Sequence, residues 1–379
     1  MVGIEQTRAW VEVDLDALRQ NFRTVRAAIG PRPAIIAMVK ADAYGLGAAR
    51  VVRALEPLEP WAYGVATADE GAALRELGVR RPILVFGPLP PRAVPLAARA
   101  RMTATISDLP SLDRWVAAAT ESPLDFHVEI DTGMGRAGFD WRDTPQWSAA
   151  VRQRVGDAVR WTGAMTHFHG ADSADATATA AQWERFQDAL KQLPVSREDL
   201  LVHAANSAAA LRWPEYAADA VRPGIFLYGG NPALEGGAPS PQPVVAVRAR
   251  LALIREVPPG STVGYGATHV ARRWERWGTL AIGYGDGLPR RLGNRGSAII
   301  RGRVVPFVGR ISMDLTVVDI TGVPEAAVGD AVTLIGADHG AEILLDDVAA
   351  LAETISYEIL TGLRPRLPRV EKDSWTGPD

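Results

Sequence analysis

The stretch from Pro33 to Tyr228 limits the possible folds most, because short apolar runs alternate there with longer amphipathic segments. Such runs predict strands, and the segments between them have the apolar spacing of helices. Eight strands that alternate with helices predict an α/β fold, a parallel (β/α)₈ barrel. The eight runs are Ala34–Val39, Ala62–Val65, Ile83–Phe86, Ala104–Ile106, Phe126–Ile130, Gly163–Thr166, Leu201–His203 and Ala220–Val221. The helical segments include Ala68–Leu77, Ser111–Ala119, Ala180–Leu193 and Ala208–Tyr216.

A second pattern begins after Gly229. The segment Asn231–Pro243 is rich in Pro and Gly and predicts a linker. Strand-like runs separated by turn residues follow, and they predict a mostly antiparallel β domain that closes with a helix over Leu344–Leu360. The predicted strands are Val244–Ile254, Thr279–Ile282, Ser297–Arg301, Val304–Val308, Thr316–Ile320 and Ala331–Leu334.

The 379 residues of the chain suffice for two domains. We expect the barrel to occupy residues 12–235 and the β domain to occupy residues 236–379. Trp10–Val13 has the pattern of a strand, so we expect residues 1–11 to join the β domain.

Composition and charge exclude several classes of function. A formal net charge of -3 gives no electrostatic basis for binding nucleic acid or a membrane surface. No apolar run reaches the ~20 residues of a membrane span, and Met1–Trp10 lacks the apolar region of a secretory signal. The chain has no cysteine, which excludes disulfides, thiolate nucleophiles and Cys-ligated metal sites. We therefore expect a cytoplasmic enzyme without a nucleic-acid or membrane partner.

In a barrel of this kind the chemistry lies where strands end and βα loops begin. These positions carry a Lys, an Asp, a His, an Asn and an Arg, whereas a purely structural set would consist mostly of small turn residues. This face is the predicted active site. The eight positions are Lys40, Thr67, Gly87, Ser107, Asp131, His167, Asn206 and Arg222.

Lys40 is the strongest candidate for a reactive group. It is one of only three lysines, with Lys191 and Lys372, in a chain whose other basic residues are arginines. Lys can lose its proton and become a nucleophile, which Arg cannot. At the partly desolvated mouth of a barrel the pKa of a lysine falls. An ordinary surface lysine is the alternative, but the position at the end of the first strand favours a functional role.

The loops after the seventh and eighth strands often bind phosphate in such barrels. Here the first contains Asn206 and Ser207, and the second contains Arg222 and Gly224. Ser207 offers a hydroxyl and backbone N–H groups at the start of a helical segment, and Gly224 allows close approach of the backbone. Each loop alone is also explained by helix capping or a turn, but the two together predict a phosphate site.

Two further motifs follow the fifth and sixth strands. The glycines of Asp131–Arg136 form a tight loop that can deliver Arg136 to a ligand oxygen, and His167 ends the sixth strand. His167 and His169 lie two residues apart, without a carboxylate at metal-ligand helix spacing. We therefore expect no metal.

Taken together, these motifs resemble the alanine racemase family. Val39–Gly47 (VKADAYGLG) resembles the family's cofactor-lysine signature, and the other motifs match in order over essentially the whole chain. The resemblance implies a pyridoxal-phosphate-dependent isomerase that interconverts L-alanine and D-alanine and supplies D-alanine for peptidoglycan. The other matching motifs are Asp131–Arg136, Thr166–Phe168, Asn206–Ser207, Val221–Ile225, Tyr265–Gly266, Tyr284, Ser312–Asp314 and Tyr357–Glu358.

The resemblance also implies a role for each matching residue. Lys40 would bind pyridoxal 5′-phosphate as a Schiff base and act as one catalytic base, and Tyr265 would be the second base on the opposite face of the substrate. Arg222 would face the pyridine nitrogen with support from His167, and Arg136 would reach the ring oxygen and the substrate carboxylate. The other cofactor-binding residues would be Tyr44, Asn206, Ser207, Gly224, Ile225 and Tyr357. The substrate-binding residues would be Arg136, Tyr284, Met313 and Asp314.

In this family Tyr265, Tyr284 and Met313 come from the other subunit. The resemblance therefore implies a homodimer with shared active sites.

Glu129 departs from the family pattern, because many members carry a carbamylated lysine at this position. A glutamate is already a carboxylate, although a shorter one. His127, Glu129 and Asp131 alternate with apolar residues and therefore share one face of the fifth strand. We expect Glu129 to point into the barrel, to pair with Arg136 and to replace the carbamate.

Three alternatives remain open. The same chemistry could act on serine or on a broader range of amino acids, although Tyr284 and Met313 favour a small side chain. A non-catalytic pyridoxal-phosphate carrier would resemble the barrel alone, and the C-terminal domain with Tyr265 argues against it. Amino-acid decarboxylases with a related fold usually have a cysteine at the site, which this chain lacks.

Overall fold

The computed structural model describes residues 6–120, 122–232 and 238–374. Its strands are β1 (Ala9–Asp14), β2 (Ala34–Met38), β3 (Ala62–Val65), β4 (Ile83–Val85), β5 (Thr103–Ile106), β6 (Leu124–Asp131), β7 (Phe139–Asp140), β8 (Val159–Met165), β9 (Leu201–Asn206), β10 (Ala220–Arg222), β11 (Val245–Val257), β12 (Thr262–Val263), β13 (His269–Val270), β14 (Glu275–Leu280), β15 (Ser297–Ile300), β16 (Arg303–Pro306), β17 (Thr316–Asp319), β18 (Ala331–Asp338), β19 (Ala341–Ile343) and β20 (Arg369–Lys372). Its helices are α1 (Leu15–Ile29), α2 (Lys40–Gly45), α3 (Ala48–Leu55), α4 (Ala68–Glu76), α5 (Val94–Arg99), α6 (Leu109–Ala118), α7 (Thr144–Arg154), α8 (Thr177–Leu190), α9 (Ser207–Arg212), α10 (Leu345–Leu351) and α11 (Ser356–Gly362).

Eight parallel strands form a closed barrel, as the sequence predicted. Their order is β5-β4-β3-β2-β10-β9-β8-β6, and pairing between β5 and β6 closes the ring. Each strand coincides with one of the predicted apolar runs, and residues of these runs are buried. The carboxyl ends of all eight strands therefore face the same end of the barrel.

The second sheet is mostly antiparallel, which also confirms the prediction. Its main order is β16-β15-β18-β11-β1-β20. Along β11, Val245, Val247, Ala249 and Leu251 are buried and alternate with partly exposed residues, as expected of a strand with one covered face. The N-terminal strand β1 pairs antiparallel with β11 and parallel with β20, so it belongs to this sheet.

The predicted boundary between residues 235 and 236 lies within residues 233–237, outside the described residues. The division into 12–235 and 236–379, with 1–11, therefore stays a prediction. None of the helices in the described ranges is long and apolar enough to cross a membrane.

Two helix predictions were wrong in detail. Instead of one closing helix over Leu344–Leu360 there are two, α10 and α11, and Glu353 between them has a left-handed φ of 56° that ends the first. The predicted helix Ala208–Tyr216 is α9 followed by a 3₁₀ turn, Pro214–Ala217. Pro214 has no N–H to continue the α-helical hydrogen bonding.

Candidate active site

A cavity lies at the carboxyl ends of the barrel strands. All the residues that the sequence predicted to bind the cofactor line it, and four other side chains complete its wall. The predicted residues are Lys40, Tyr44, Arg136, His167, Asn206, Ser207, Arg222, Gly224, Ile225 and Tyr357. The additional ones are Met38, Phe86, Glu129 and Met165.

Lys40 enters the cavity from an unusual backbone segment. It begins α2, in which Ala41–Tyr44 all have φ between 52° and 57°, so this turn is left-handed. Burial lowers the pKa of Lys40, and the positive charges of Arg136 and Arg222 lower it further. A lysine with a lowered pKa has more of the neutral amine that reacts with carbonyl groups.

The loops after β9 and β10 meet at one end of the cavity. The Ser207 hydroxyl accepts a hydrogen bond from the Gly224 N–H at 2.8 Å. A Cβ on residue 224 would lie 2.2 Å from the Tyr44 hydroxyl oxygen, so the Gly224 backbone and this phenol come together only because residue 224 is glycine. Asn206 caps α9 with its side chain, and Tyr357 lies beside Tyr44 with ring centroids 6.0 Å apart.

Arg222 is buried, and uncharged acceptors surround its guanidinium group. Burial lowers its pKa to about 10, so it keeps its charge near neutral pH. Burial of the His167 imidazole, together with the charge of Arg222, lowers the pKa of His167 to about 3, so His167 is neutral. The acceptors are the carbonyls of Thr166 (2.8 Å), His203 (2.9 Å) and Ala204 (2.9 Å) and the Nδ1 atoms of His203 (2.7 Å) and His167 (3.2 Å).

A pair of buried histidines extends this network, and sequence reasoning gave neither a role. The Nε2 atom of His203 lies 2.8 Å from Nδ1 of His127. Arginine can only donate, so His203 Nδ1 must accept from Arg222, and Nε2 then carries the proton donated to His127. Burial holds the pKa of both imidazoles low. The available signal was the position of His127, two residues before Glu129 on the same face of β6.

Glu129 points into the cavity as predicted and is only 4% exposed. The predicted ion pair with Arg136 was wrong: within the described residues, Glu129 instead accepts a hydrogen bond from the Ser107 hydroxyl at 3.0 Å. Ser107 follows β5, which pairs with β6, so its hydroxyl meets the carboxylate directly. Burial raises the pKa of Glu129, and the Ser107 hydrogen bond and the charge of Arg136 oppose that rise.

The remaining predicted site residues belong to the β domain and do not line this cavity. Tyr265 is 65% exposed and Met313 is 52% exposed, and Tyr284 is also exposed. The Tyr284 N–H donates to the Ser312 carbonyl at 3.0 Å, so the turns that carry Tyr284 and Met313 are joined. Asp314 pairs with Arg366 at 2.7 Å.

Comparison with known proteins assigns this arrangement to a family. Residues 13–232 match the family model of the alanine racemase N-terminal domain, and residues 244–371 match that of the C-terminal domain. The chain belongs to the alanine racemase family. Racemases are isomerases, so the predicted enzyme class is that of the family.

Individual alanine racemases match over nearly their whole length. The chain is 39% identical over 375 residues to the alanine racemase of Desulfosudis oleivorans, covering 96% of each protein. It is 37% identical over 373 residues to that of Halothermothrix orenii, covering 97% of this chain and 98% of the relative.

Solved alanine racemases share the fold of both domains. The structure from the D-cycloserine producer Streptomyces lavendulae has a TM-score of 0.91 and 34% identity and covers 97% of this chain and 98% of its own. The one from Bartonella henselae, with covalently bound pyridoxal phosphate, has a TM-score of 0.87 and 29% identity and covers 97% of this chain and 100% of its own.

Proposed function

We propose that this protein uses pyridoxal 5′-phosphate to interconvert L-alanine and D-alanine, with Lys40 and Tyr265 as the two bases. The observation that carries the proposal is the cavity itself. Lys40, whose pKa is lowered, lines a cavity that also contains the buried Arg222. At one end of this cavity the Ser207 hydroxyl and the Gly224 backbone form a cradle. Family membership and the cofactor named for the Bartonella henselae structure support the same reading.

The residues of the cavity fit this cofactor. The Gly224 backbone approaches the Tyr44 phenol too closely for any side chain at position 224, which leaves a narrow cradle suited to a compact anionic group. Ser207, Tyr44 and Tyr357 would hold the phosphate with Gly224 and Ile225, and Lys40 would hold the carbonyl carbon. Asn206 would act by keeping Ser207 in place through its cap on α9.

Arg222 would face the pyridine nitrogen. Bound pyridoxal phosphate supplies an electron sink that makes the α-proton of an amino acid removable. Because Arg222 keeps its charge and its proton, it would leave the ring nitrogen unprotonated and so moderate this electron withdrawal. Neutral His167 and His203 would fix the orientation of the guanidinium group. Arg136, also at the cavity wall, would bind the substrate carboxylate.

Racemisation needs a proton acceptor on one face of the substrate and a donor on the other. Lys40 would serve one face. Tyr265 is exposed on the β domain and lies outside the cavity of its own chain, so it would serve the other face of a partner subunit's site. We therefore propose a homodimer in which Tyr265, Tyr284, Met313 and Asp314 complete the substrate site of the second chain.

Alanine is the proposed substrate because Tyr284 and Met313 would leave room for a small side chain. A carrier without catalysis would need only the barrel, whereas the match to the C-terminal domain covers residues 244–371. A supply of D-alanine for peptidoglycan is the proposed physiological role. The cytoplasmic location stays a prediction.

The proposal is tested by the absorbance spectrum of the purified protein with pyridoxal phosphate, followed by incubation with L-alanine in deuterated water. We expect an absorbance band that Lys40→Ala abolishes, and deuterated D-alanine as product. A band without exchange into alanine would redirect the search to serine and other amino acids. Absence of a band after adding the cofactor would refute the proposal.

A further inference from the structure

Glu70 connects the backbone beside Lys40 to a neighbouring strand of the barrel. It is the third residue of α4, which follows β3. One carboxylate oxygen accepts from the Ala41 N–H at 2.7 Å, and the other accepts from the N–H groups of Ala66 at 2.8 Å and Thr67 at 3.3 Å. The residue directly after Lys40 is therefore bonded to the end of β3 through one side chain.

Helix capping explains only one of the two oxygens of Glu70. The Thr67 hydroxyl accepts from the Glu70 N–H at 3.2 Å, and the Glu70 carboxylate accepts from the Thr67 N–H, so the two residues form a capping box. The oxygen that binds Ala41 lies outside this box and reaches a residue 29 positions earlier in the chain.

The segment that Glu70 binds is strained. Each non-glycine residue in a left-handed conformation costs roughly 1–2 kcal/mol, and Ala41–Tyr44 are four such residues in succession. Strain of this kind persists only where surrounding contacts fix the backbone. Glu70 bonds the first residue of this turn, and Asp42 bonds forward to the Ala48 N–H at 2.7 Å. The Lys40 side chain leaves the backbone immediately before the strained residues.

We propose that Glu70 is a positioning residue, which acts through the Ala41 backbone to hold the Lys40 side chain in the cavity. The inference rests on the proposed function only for the identity of Lys40 as the group that pyridoxal phosphate binds.

The position and the charge of Glu70 have opposite effects on Lys40, which makes the proposal testable. The negative charge of Glu70 raises the pKa of Lys40, against burial and the two arginines. Loss of this charge alone would increase the neutral amine and speed its reaction with an aldehyde. Loss of the Ala41 contact would misplace the amine and slow the same reaction. Glu70→Gln keeps the size of the side chain but has only one oxygen that can accept.

The experiment compares cofactor-free wild-type protein with Glu70→Gln, Asp69→Asn and Thr67→Ala. Pyridoxal phosphate is the probe: its capture rate is followed by absorbance, and borohydride reduction with peptide mass spectrometry locates the adduct. Hydrogen–deuterium exchange of peptides that contain Ala41 reports the contact without any cofactor. Asp69→Asn removes an exposed neighbouring charge, and Thr67→Ala weakens the helix cap while leaving the Glu70 carboxylate.

We expect Glu70→Gln to capture the probe at Lys40 about tenfold more slowly and to exchange faster at Ala41, while both control variants behave like the wild type. Faster capture, or exchange at the wild-type rate, would overturn the proposal. An equal loss in Thr67→Ala would also overturn it, because helix capping would then explain the effect. If the wild type fails to capture pyridoxal phosphate at Lys40, the proposed function fails, and exchange at Ala41 still decides whether Glu70 holds this segment.

Discussion

Arg222 is a buried positive charge that adds to the effect of burial on the pKa of the groups around it. An isolated buried charge is costly, but hydrogen bonds to three carbonyls and two imidazoles replace the lost water. Because these acceptors are uncharged, the positive charge of Arg222 is not cancelled by them. Burial lowers the pKa of His167, His203 and Lys40, and the charge of Arg222 lowers it further, so both imidazoles stay neutral and the neutral amine of the lysine is favoured.

We expect the charged Glu129 carboxylate to lower the stability of the fold and to support substrate binding. Its pKa in the folded protein is raised, so its contribution to stability is present at low pH and is lost as the pH rises through that value. Glu129→Gln removes this cost, and we expect a higher melting temperature near neutral pH, with a difference that shrinks under acidic conditions. We also expect KM for alanine to rise about tenfold, because the carboxylate and Arg136 attract each other without a direct ion pair, and this attraction is lost with the charge.

Gln can still accept the Ser107 hydrogen bond, so the variant isolates the charge of Glu129 from its shape. Steady-state kinetics and melting curves over a range of pH measure both effects. An unchanged KM would show that Glu129 does not orient Arg136.

At this scale the sequence predicted the lining of the cavity well, because Lys40, Ser207 and Arg222 lie where barrel strands end, while the family resemblance supplied Tyr44, Ile225 and Tyr357, which no local pattern indicates. The contacts of Glu129 could not be predicted, since they depend on which neighbouring strand brings its side chain closest. His127 and His203 were missed for the same reason: 76 residues separate them, and their hydrogen bond exists only in the closed barrel.

At the level of elements, the neighbouring strands β6 and β8 hold the histidine pair in place. Gly163 on β8 pairs with His127 on β6, and a Cβ at position 163 would come within 2.5 Å of the His127 ring. The His127 ring is also buried and hydrogen-bonded to His203, so it cannot move aside without breaking that contact.

We therefore expect Gly163→Ala to weaken cofactor binding, although neither Gly163 nor His127 lines the cavity. The new methyl group would push His127 away from His203 and so disturb Arg222. The predicted loss of pyridoxal-phosphate affinity is about tenfold, with a loss of stability of about 1–3 kcal/mol. Absorbance titration measures the first and denaturant unfolding the second.

Gly278→Ala is the matched control, because Gly278 is also a tightly packed strand glycine but lies on β14 of the other sheet. It should lose stability and keep its affinity for the cofactor. Equal affinity in the two variants would mean that the histidine pair does not support Arg222.

The elements also show where local sequence is insufficient. The eight barrel strands coincide with apolar runs, and such runs predict strands from the local sequence alone. The left-handed turn over Ala41–Tyr44 contains no glycine, so its own residues do not predict a left-handed conformation. The hydrogen bonds that fix it, from the Ala41 N–H to Glu70 and from the Ala48 N–H to Asp42, form only once the chain has folded. Glu353 likewise ends α10 without a glycine or proline, and this is why two helices were predicted as one.

At the scale of the whole molecule, three connected segments of the β domain carry the exposed side chains that the proposed dimer would use. The Tyr284 turn is hydrogen-bonded to the segment that carries Met313. The Tyr265 turn packs against the same segment, since a Cβ on Gly266 would lie 2.7 Å from a guanidinium nitrogen of Arg310. Tyr265, Tyr284 and Met313 are each exposed. Exposed aromatic and apolar side chains on connected segments are the kind of surface that an interface covers, as the proposed dimer requires.

Mixed dimers test whether this surface completes a partner's site. Lys40→Ala and Tyr265→Phe chains with different tags are produced together, and the mixed dimer is isolated by two affinity steps. If each site takes Lys40 from one chain and Tyr265 from the other, one site of the mixed dimer carries both defects and the second carries neither. A two-fold symmetric pair then recovers about half of the wild-type activity, while each variant alone stays inactive. If both residues act within one chain, every site in the mixed dimer is defective and no activity returns.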